Sequence, residues 1–201
     1  TGDAIAMALA ICLPAAVGLW MLRADVIMLL FQRGSFDAGD ASRTAAVLAV
    51  FCLAIPVLGI YRMLCQFGFA GREIRIPLFA VAAGLCVNVG LAWFLMPAMG
   101  VVGIAWGWVS GILLSALILL WRAIRDAASQ RVNWLPMGRL VRIAVSTGIM
   151  GLCILLAKQY LPNLHVLGFV ALGSLVYGIL MWLPGPGSLW SNGRKDGRPV
   201  S

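Results

Sequence analysis

The chain has 201 residues, 62% of them hydrophobic and 11% charged. An ordinary globular domain is ~45–50% apolar and ~25% charged, so this composition excludes a soluble enzyme with a polar surface, a disordered tail, a coiled coil and a disulfide scaffold, and leaves an integral membrane protein. The formal net charge of +8 reads as basic residues at span ends; they are scattered between apolar runs and form no continuous stripe, so nucleic acid is not an expected partner.

A transmembrane helix needs ~20 apolar residues, so an all-α, polytopic bundle of about six spans is expected. The first is Ala4–Leu22, which carries no charge. A short apolar piece, Val26–Phe31, follows Arg23 and Asp25. Gln32–Arg43 is the first clear loop, and Asp40 is placed to cap the next helix by accepting its free N–H groups. The second span is Thr44–Gly71. Its only charge is Arg62, and Pro56 inside it predicts a kink near Leu53. Arg72–Arg75 forms a tight basic loop.

Ile76–Trp121 holds no charge and is too long for one helix. A turn at Pro97–Gly100 divides it into the spans Pro77–Met96 and Val101–Trp121. Arg122–Arg142 reads as an interfacial linker, with Trp134 at the headgroups. The fifth span, Ile143–Ala157, is short, so Arg142 and Lys158 are expected to snorkel. After a loop to His165 comes the sixth, Val166–Leu183. The expected organisation is thus four transmembrane helices in 1–126, a cytoplasmic linker at 127–142, two peripheral helices in 143–183 and a polar, disordered cytoplasmic tail at 184–201.

Arg62 is the sharpest functional signal. It lies about 10 residues, ~15 Å at helical rise, from the nearer end of its segment. A charge at the bilayer centre costs ~2.5–3.5 kcal/mol even on a mild scale, so it faces protein or water. It is either a cationic contact for an anionic substrate group or an arginine that snorkels to the headgroups. No Asp or Glu lies in any hydrophobic core to pair with it.

Gly103, Gly107, Gly111 and Ser115 recur every four residues and give the fourth span a face that another helix can approach closely. Ala80, Gly84, Asn88 and Ala92 do the same on the third. Asn88 therefore points at a neighbouring helix, as an interhelical hydrogen-bond donor or as a cation or substrate contact. Trp121, Trp134, Trp182 and Trp190 mark span ends, whereas Trp106 and Trp108 flank Gly107 inside a span.

No GxSxG, Walker A, GxGxxG or HExxH is present. Asp37 and Asp40 have no His beside them and read as capping residues. The five cysteines Cys12, Cys52, Cys65, Cys86 and Cys153 lack CxxC spacing, and His165 is the only histidine, so neither a metal site nor a cofactor is expected. The composition fixes the solvent and not the function, and no motif supports catalysis.

Arg72, Arg75, Arg122, Arg125, Arg131, Arg139 and Arg142 fall on one side of this topology, with Arg194, Lys195 and Arg198 of the tail. Only Arg23, Arg33, Arg43 and Lys158 fall on the other. Basic residues face the cytoplasm, which places both ends inside and the Gln32–Arg43 loop outside. The chain starts at Thr1 with no secretory signal, and is read as a fragment of a longer protein.

Leu13-Pro-Ala-Ala-Val17, the loop Phe31-Gln-Arg33-Gly34-Ser-Phe36, Asp40, Thr44-Ala-Ala, Phe67-Gly-Phe-Ala70, Ile76-Pro77, Asn88 and Gly103-Ile-Ala105 occur in this order. The set resembles the C-terminal part of the MurJ/MviN lipid II flippase family, within the multidrug/oligosaccharidyl-lipid/polysaccharide exporter superfamily. The resemblance covers about Leu9–Arg125; the last two spans fit by position. It implies the ninth to fourteenth helices of a fourteen-helix transporter, that is, most of a C-terminal lobe plus two peripheral helices.

The activity implied is movement of the lipid-linked peptidoglycan precursor across the bacterial inner membrane by alternating access. The partners implied are that precursor, membrane lipids and an N-terminal lobe of the same protein. Arg62 would help hold the pyrophosphate, and the last two helices would line a groove for the polyprenyl tail. The chain departs from the family pattern at Arg72-Glu-Ile-Arg-Ile-Pro77, where Asp-Thr-Arg-Thr-Pro is typical. Asn88 matches a polar position that some members use for a coupling cation, but Ala92 and Trp108 replace its polar companions. The alternatives are an exporter of another polyprenyl-linked oligosaccharide and a non-transporting scaffold that binds partners through its glycine faces.

Overall fold

The computed structural model describes residues 2–31, 38–70, 74–130, 137–160 and 165–182. They form six helices: α1 (Gly2–Phe31), α2 (Ala38–Ala70), α3 (Arg75–Met99), α4 (Val101–Gln130), α5 (Met137–Tyr160) and α6 (Val166–Trp182). α1 to α5 are each long and apolar enough to cross a bilayer, while α6 is a shorter apolar helix of 17 residues. At 1.5 Å rise it is ~25 Å long, close to the ~30 Å hydrocarbon thickness. The protein is an all-α polytopic membrane bundle.

Several helices run beyond the apolar segments that announce them. Arg23 and Asp25 do not interrupt α1. The Arg23 guanidinium donates to the Trp20 carbonyl at 2.6 Å and lies 4.9 Å from the Trp20 ring centre, while Asp25 pairs with Lys158. Each charge is satisfied beside the helix, so the backbone continues to Phe31. α2 begins at Ala38, which puts Asp40 in its first turn instead of at the cap; an acid there still complements the helix dipole. The helix also continues through Pro56.

The turn between α3 and α4 is shorter than expected. Pro97 lies inside the last turn of α3, and only Gly100 separates the helices. Gly100 has φ 58°, a conformation open to glycine at little cost. Its N–H donates to the Met96 carbonyl at 2.8 Å and its carbonyl accepts from Gly103 at 3.0 Å.

α4 runs to Gln130 and α5 starts at Met137, so helix covers both ends of the stretch expected as a linker at 127–142. An Arg122–Asp126 pair at helical spacing and the alanines that follow favour that extension.

Packing order across the bundle is α3, α4, α2, α1, with α5 and α6 together on the far side of α1. α3 and α4 meet backbone to backbone. A Cβ on Gly84 would lie 2.0 Å from Ser115 Oγ and 2.5 Å from the Gly111 carbonyl oxygen. One on Gly107 would lie 2.8 Å from the Ala92 nitrogen, and one on Gly103 2.6 Å from the Leu95 carbonyl oxygen. Ser115 donates to the Ala80 carbonyl across this contact at 2.9 Å. Such close approach lets dispersion and weak backbone dipoles hold two helices together where lipid gives no hydrophobic drive. On the other side of α3, Trp93 and Phe94 are 84% and 80% exposed, as suits a lipid-facing surface.

α2 packs on α4 through small residues, Ala54 against Ala105 with Val50 and Val109. Near one end, Ile5, Leu64, Ala80 and Leu119 join α1 to α4 in a shared core. α5 and α6 close on α1 through Leu22, Met150, Ile154 and Phe169.

Gly84→Ala in the full-length protein is expected to destabilise it by about 2 kcal/mol, within the ~1–3 kcal/mol range for overpacking. Gly90→Ala, where a Cβ meets nothing within 4 Å, should stay within ~0.5 kcal/mol of the parent. Unfolding in detergent followed by tryptophan fluorescence compares the two.

Candidate functional site

Arg62 is exposed and lies about eight residues, ~12 Å at helical rise, from the end of α2. Helical spacing puts it on one face with Ile55 and Leu58. Those residues line a recess of about 160 Å³ between α1, α2 and α4, with Leu19, Phe51 and Trp108. The Trp108 ring meets Phe51 edge-on with centres 5.2 Å apart. Leu58 and Trp108 also line a second recess of about 210 Å³, which holds Tyr61, Asn88 and Ser115. The two recesses thus adjoin at Leu58 and Trp108, and Arg62, which lines neither, is one helical turn from Leu58. Among the described residues no carboxylate is paired with Arg62.

Asn88 is half-buried on α3, against Gly111 of α4. An interhelical hydrogen bond does form between these helices, but Ser115 makes it. Among the described residues nothing accepts from or donates to the Asn88 amide. No Asp or Glu lines its recess, and the described residues contain no cluster of His, Cys, Asp and Glu able to hold a metal. Gly103, Gly107 and Gly111 are buried in the α3–α4 contact. Of the loop signature, Phe31 ends α1 and is exposed; Arg33, Gly34 and Phe36 lie outside the described residues.

A third cavity lies on the other side of α1. It measures about 470 Å³ and is enclosed by α1, α5 and α6. Its α1 wall runs from Ala10 to Val26, ~24 Å at helical rise. Met150 and Ile154 of α5 and Val170, Gly173 and Tyr177 of α6 complete it. The lining is almost wholly apolar, and Gly18 and Gly173 keep it open.

Polar contacts at the two ends of α1 hold α5 in place. Asp3 pairs with Arg139 near their N-termini, and Asp25 pairs with Lys158 near their C-termini. The two helices are therefore parallel, as they must be with three spans between them. The paired residues are 22 apart on α1 and 19 apart on α5, or ~33 and ~28 Å, so each pair sits near one boundary of a ~30 Å core.

The Lys158 ammonium also lies 3.4 Å from the Met21 carbonyl, so it is met by protein groups at the end of its span. Arg142 is met by protein as well. It donates to the Leu180 and Met181 carbonyls at 3.0 and 3.1 Å, which have no helical donors at the end of α6. Sequence reasoning missed both roles. Its available signal was acids at both ends of one apolar segment and bases at both ends of another.

Lys158→Met and Asp25→Asn should each loosen α5 from α1 by about 1–2 kcal/mol, between the values for exposed and buried pairs. The double variant should lose less than the sum. Thermal unfolding of the full-length protein in nanodiscs measures all three.

A protein-family model described as Lipid II flippase MurJ matches residues 1–176. A probable lipid II flippase MurJ of Rhizobium tropici is 29% identical, over 92% of this chain and 40% of its own length. One of Thermotoga maritima is 26% identical, over 87% of this chain and 35% of its own. The chain therefore spans two-fifths or less of these relatives. A solved structure, lipid II flippase MurJ in an inward closed conformation, superposes with a TM-score of 0.78 at 24% identity. It covers 89% of this chain and 37% of that one, and so supports the fold. With the family match running through all six helices except the last turns of α6, the chain belongs to the lipid II flippase MurJ family.

Proposed function

We propose that these helices work as part of a lipid II flippase, which moves a polyprenyl-pyrophosphate-linked peptidoglycan precursor across the bacterial inner membrane by alternating access, without covalent chemistry. The observation that carries this reading is Arg62. A guanidinium inside a span costs up to ~2.5–3.5 kcal/mol on a mild scale unless it meets water or an anion, and Arg62 lies within the apolar run of α2, ~12 Å from the helix end. Here it is exposed, without a carboxylate partner among the described residues, and one helical turn from Leu58, which lines both recesses. Arginine matches a pyrophosphate well, because its planar donors bind two oxygens at once. Asn88, with an amide that the described residues leave unbonded, is a second contact for the polar headgroup. The remaining lobe of the same protein would close the chamber.

The apolar cavity beside α1 suits the polyprenyl chain. Its ~24 Å length along α1 and small-residue floor fit a branched hydrocarbon, and its position away from Arg62 separates tail from headgroup. In the proposed topology both ends of the chain are cytoplasmic and the 32–43 loop is outside.

Arg62→Ala in the full-length protein should abolish complementation of a flippase-depleted strain while membrane insertion stays normal. Arg62→Lys, which keeps charge but loses the bidentate fork, should complement weakly. Normal growth of the alanine variant would favour a scaffold. A photoactivatable polyprenyl diphosphate should label α1, α5 or α6 peptides; labelling confined to α3 would remove the tail assignment. Ser35→Cys, in a background without native cysteines, should react with an impermeant maleimide added outside the cell, and reaction from the inside alone would reverse the topology.

A further inference from the structure

Proline lacks an N–H, so Pro14 leaves the Ala10 carbonyl of α1 without its helical donor. In hydrocarbon a freed carbonyl must find another partner. The Tyr177 hydroxyl of α6 donates to it at 2.7 Å. Both residues line the apolar cavity. Ala10 is the lining residue nearest the N-terminus of α1, and Tyr177 the one nearest the C-terminus of α6, so their bond closes one end of that cavity.

Arg142 binds the Leu180 and Met181 carbonyls within about one turn of Tyr177. The C-terminal end of α6 is therefore fixed to two helices by directional bonds. The opposite end is joined to α5 by the five residues 161–165, and among the described residues no side-chain hydrogen bond ties 165–170 to another helix, so its movement is limited by the length of that connection alone. Phe169 packs inward there, and Leu167 is 73% exposed. Apolar packing alone gives little preference for protein over lipid.

We propose that Tyr177 and the proline-freed Ala10 carbonyl form the pin of a hinged flap. α6 turns about its C-terminal end, and its Val166 end swings from α1 to admit a hydrocarbon chain sideways from the bilayer. Tyr177 is then a positioning residue. The chain's identity as polyprenyl rests on the function proposed above; the hinge does not.

The test uses the full-length protein with native cysteines replaced by serine, in nanodiscs of phosphatidylethanolamine and phosphatidylglycerol with no polyprenyl lipid. Spin-label pairs at Ile11→Cys and Ile179→Cys report the pinned end, and pairs at Leu29→Cys and Leu167→Cys the free end. The parent should give a narrow distance distribution at the pinned end and a broad one at the free end. Tyr177→Phe should raise the separated population at the pinned end about threefold, as expected for loss of one hydrogen bond within a membrane.

Pro14→Ala restores a helical donor to the Ala10 carbonyl and should have the same effect, and the double variant should go no further than either alone. Equal widths at the two ends of the parent, no change in Tyr177→Phe, or additive effects would each overturn the hinge. Failure of the polyprenyl probe to label the cavity, with these distances as expected, would remove the lipid assignment alone.

Discussion

Hydrocarbon offers no hydrogen bonds, and that constraint places nearly every polar group in these spans. A soluble protein can leave a carbonyl or an ammonium to water. Here an unmet group costs several kcal/mol, and most find a partner close by. Ser115 turns to the Ala80 carbonyl. Arg142 takes the bare carbonyls at the end of α6, and Lys158 meets Asp25. Tyr177 answers the carbonyl that Pro14 frees. Against that background the exceptions stand out. Arg62, Asn88 and the buried Thr147 hydroxyl of α5 have no hydrogen-bond or ion-pair partner among the described residues; Asn88 lines one of the two recesses that share Leu58 and Trp108, and Arg62, which lines neither, is one helical turn from Leu58.

The helices associate in two physical regimes. α3 and α4 touch along their backbones through Gly84, Gly103, Gly107 and Gly111. That contact is continuous, and any added side-chain atom strikes main chain, so the pair behaves as one rigid unit. α1, α5 and α6 are arranged differently. Ion pairs clamp α1 to α5 near both membrane boundaries, and a cavity of about 470 Å³ fills the space between those ends. Charges set how far apart the helices stand, and small residues keep the interior empty. A rigid pair supports a binding wall, whereas a clamped hollow can hold a flexible chain without being remade each time.

Much of the fold was legible from residue patterns alone, because charge is expensive in lipid. The runs without charge locate all six helices, and the small residues at four-residue spacing on the third and fourth spans meet as that spacing implies. What could not be read was how charges near the helix ends would be met. Arg23 and Asp25 look like a stop signal, yet the first folds back on Trp20 and the second reaches a lysine 133 residues away. The extension of α4 past Trp121 has the same origin, since local pairs and alanines carry a helix into the headgroups without apolar residues. Arg62 was visible as an oddity because it interrupts a long apolar run; that Leu58 and Trp108 line common recesses was not, because recesses are assembled from several helices at once.

The parallel arrangement of α1 and α5 ties these points together. Two parallel helices in a membrane protein must be separated by an odd number of intervening spans, and α2, α3 and α4 supply three. Asp3–Arg139 and Asp25–Lys158 join the corresponding ends of the two helices, as that parallel arrangement requires. Each pair is neutral in itself, whereas Arg23 and Arg142 on the same two helices are met by carbonyls of α1 and α6. The charged ends of α1 and α5 are thus satisfied by protein groups from three helices, which holds α5 and α6 against the lobe by directional contacts where lipid gives no hydrophobic drive.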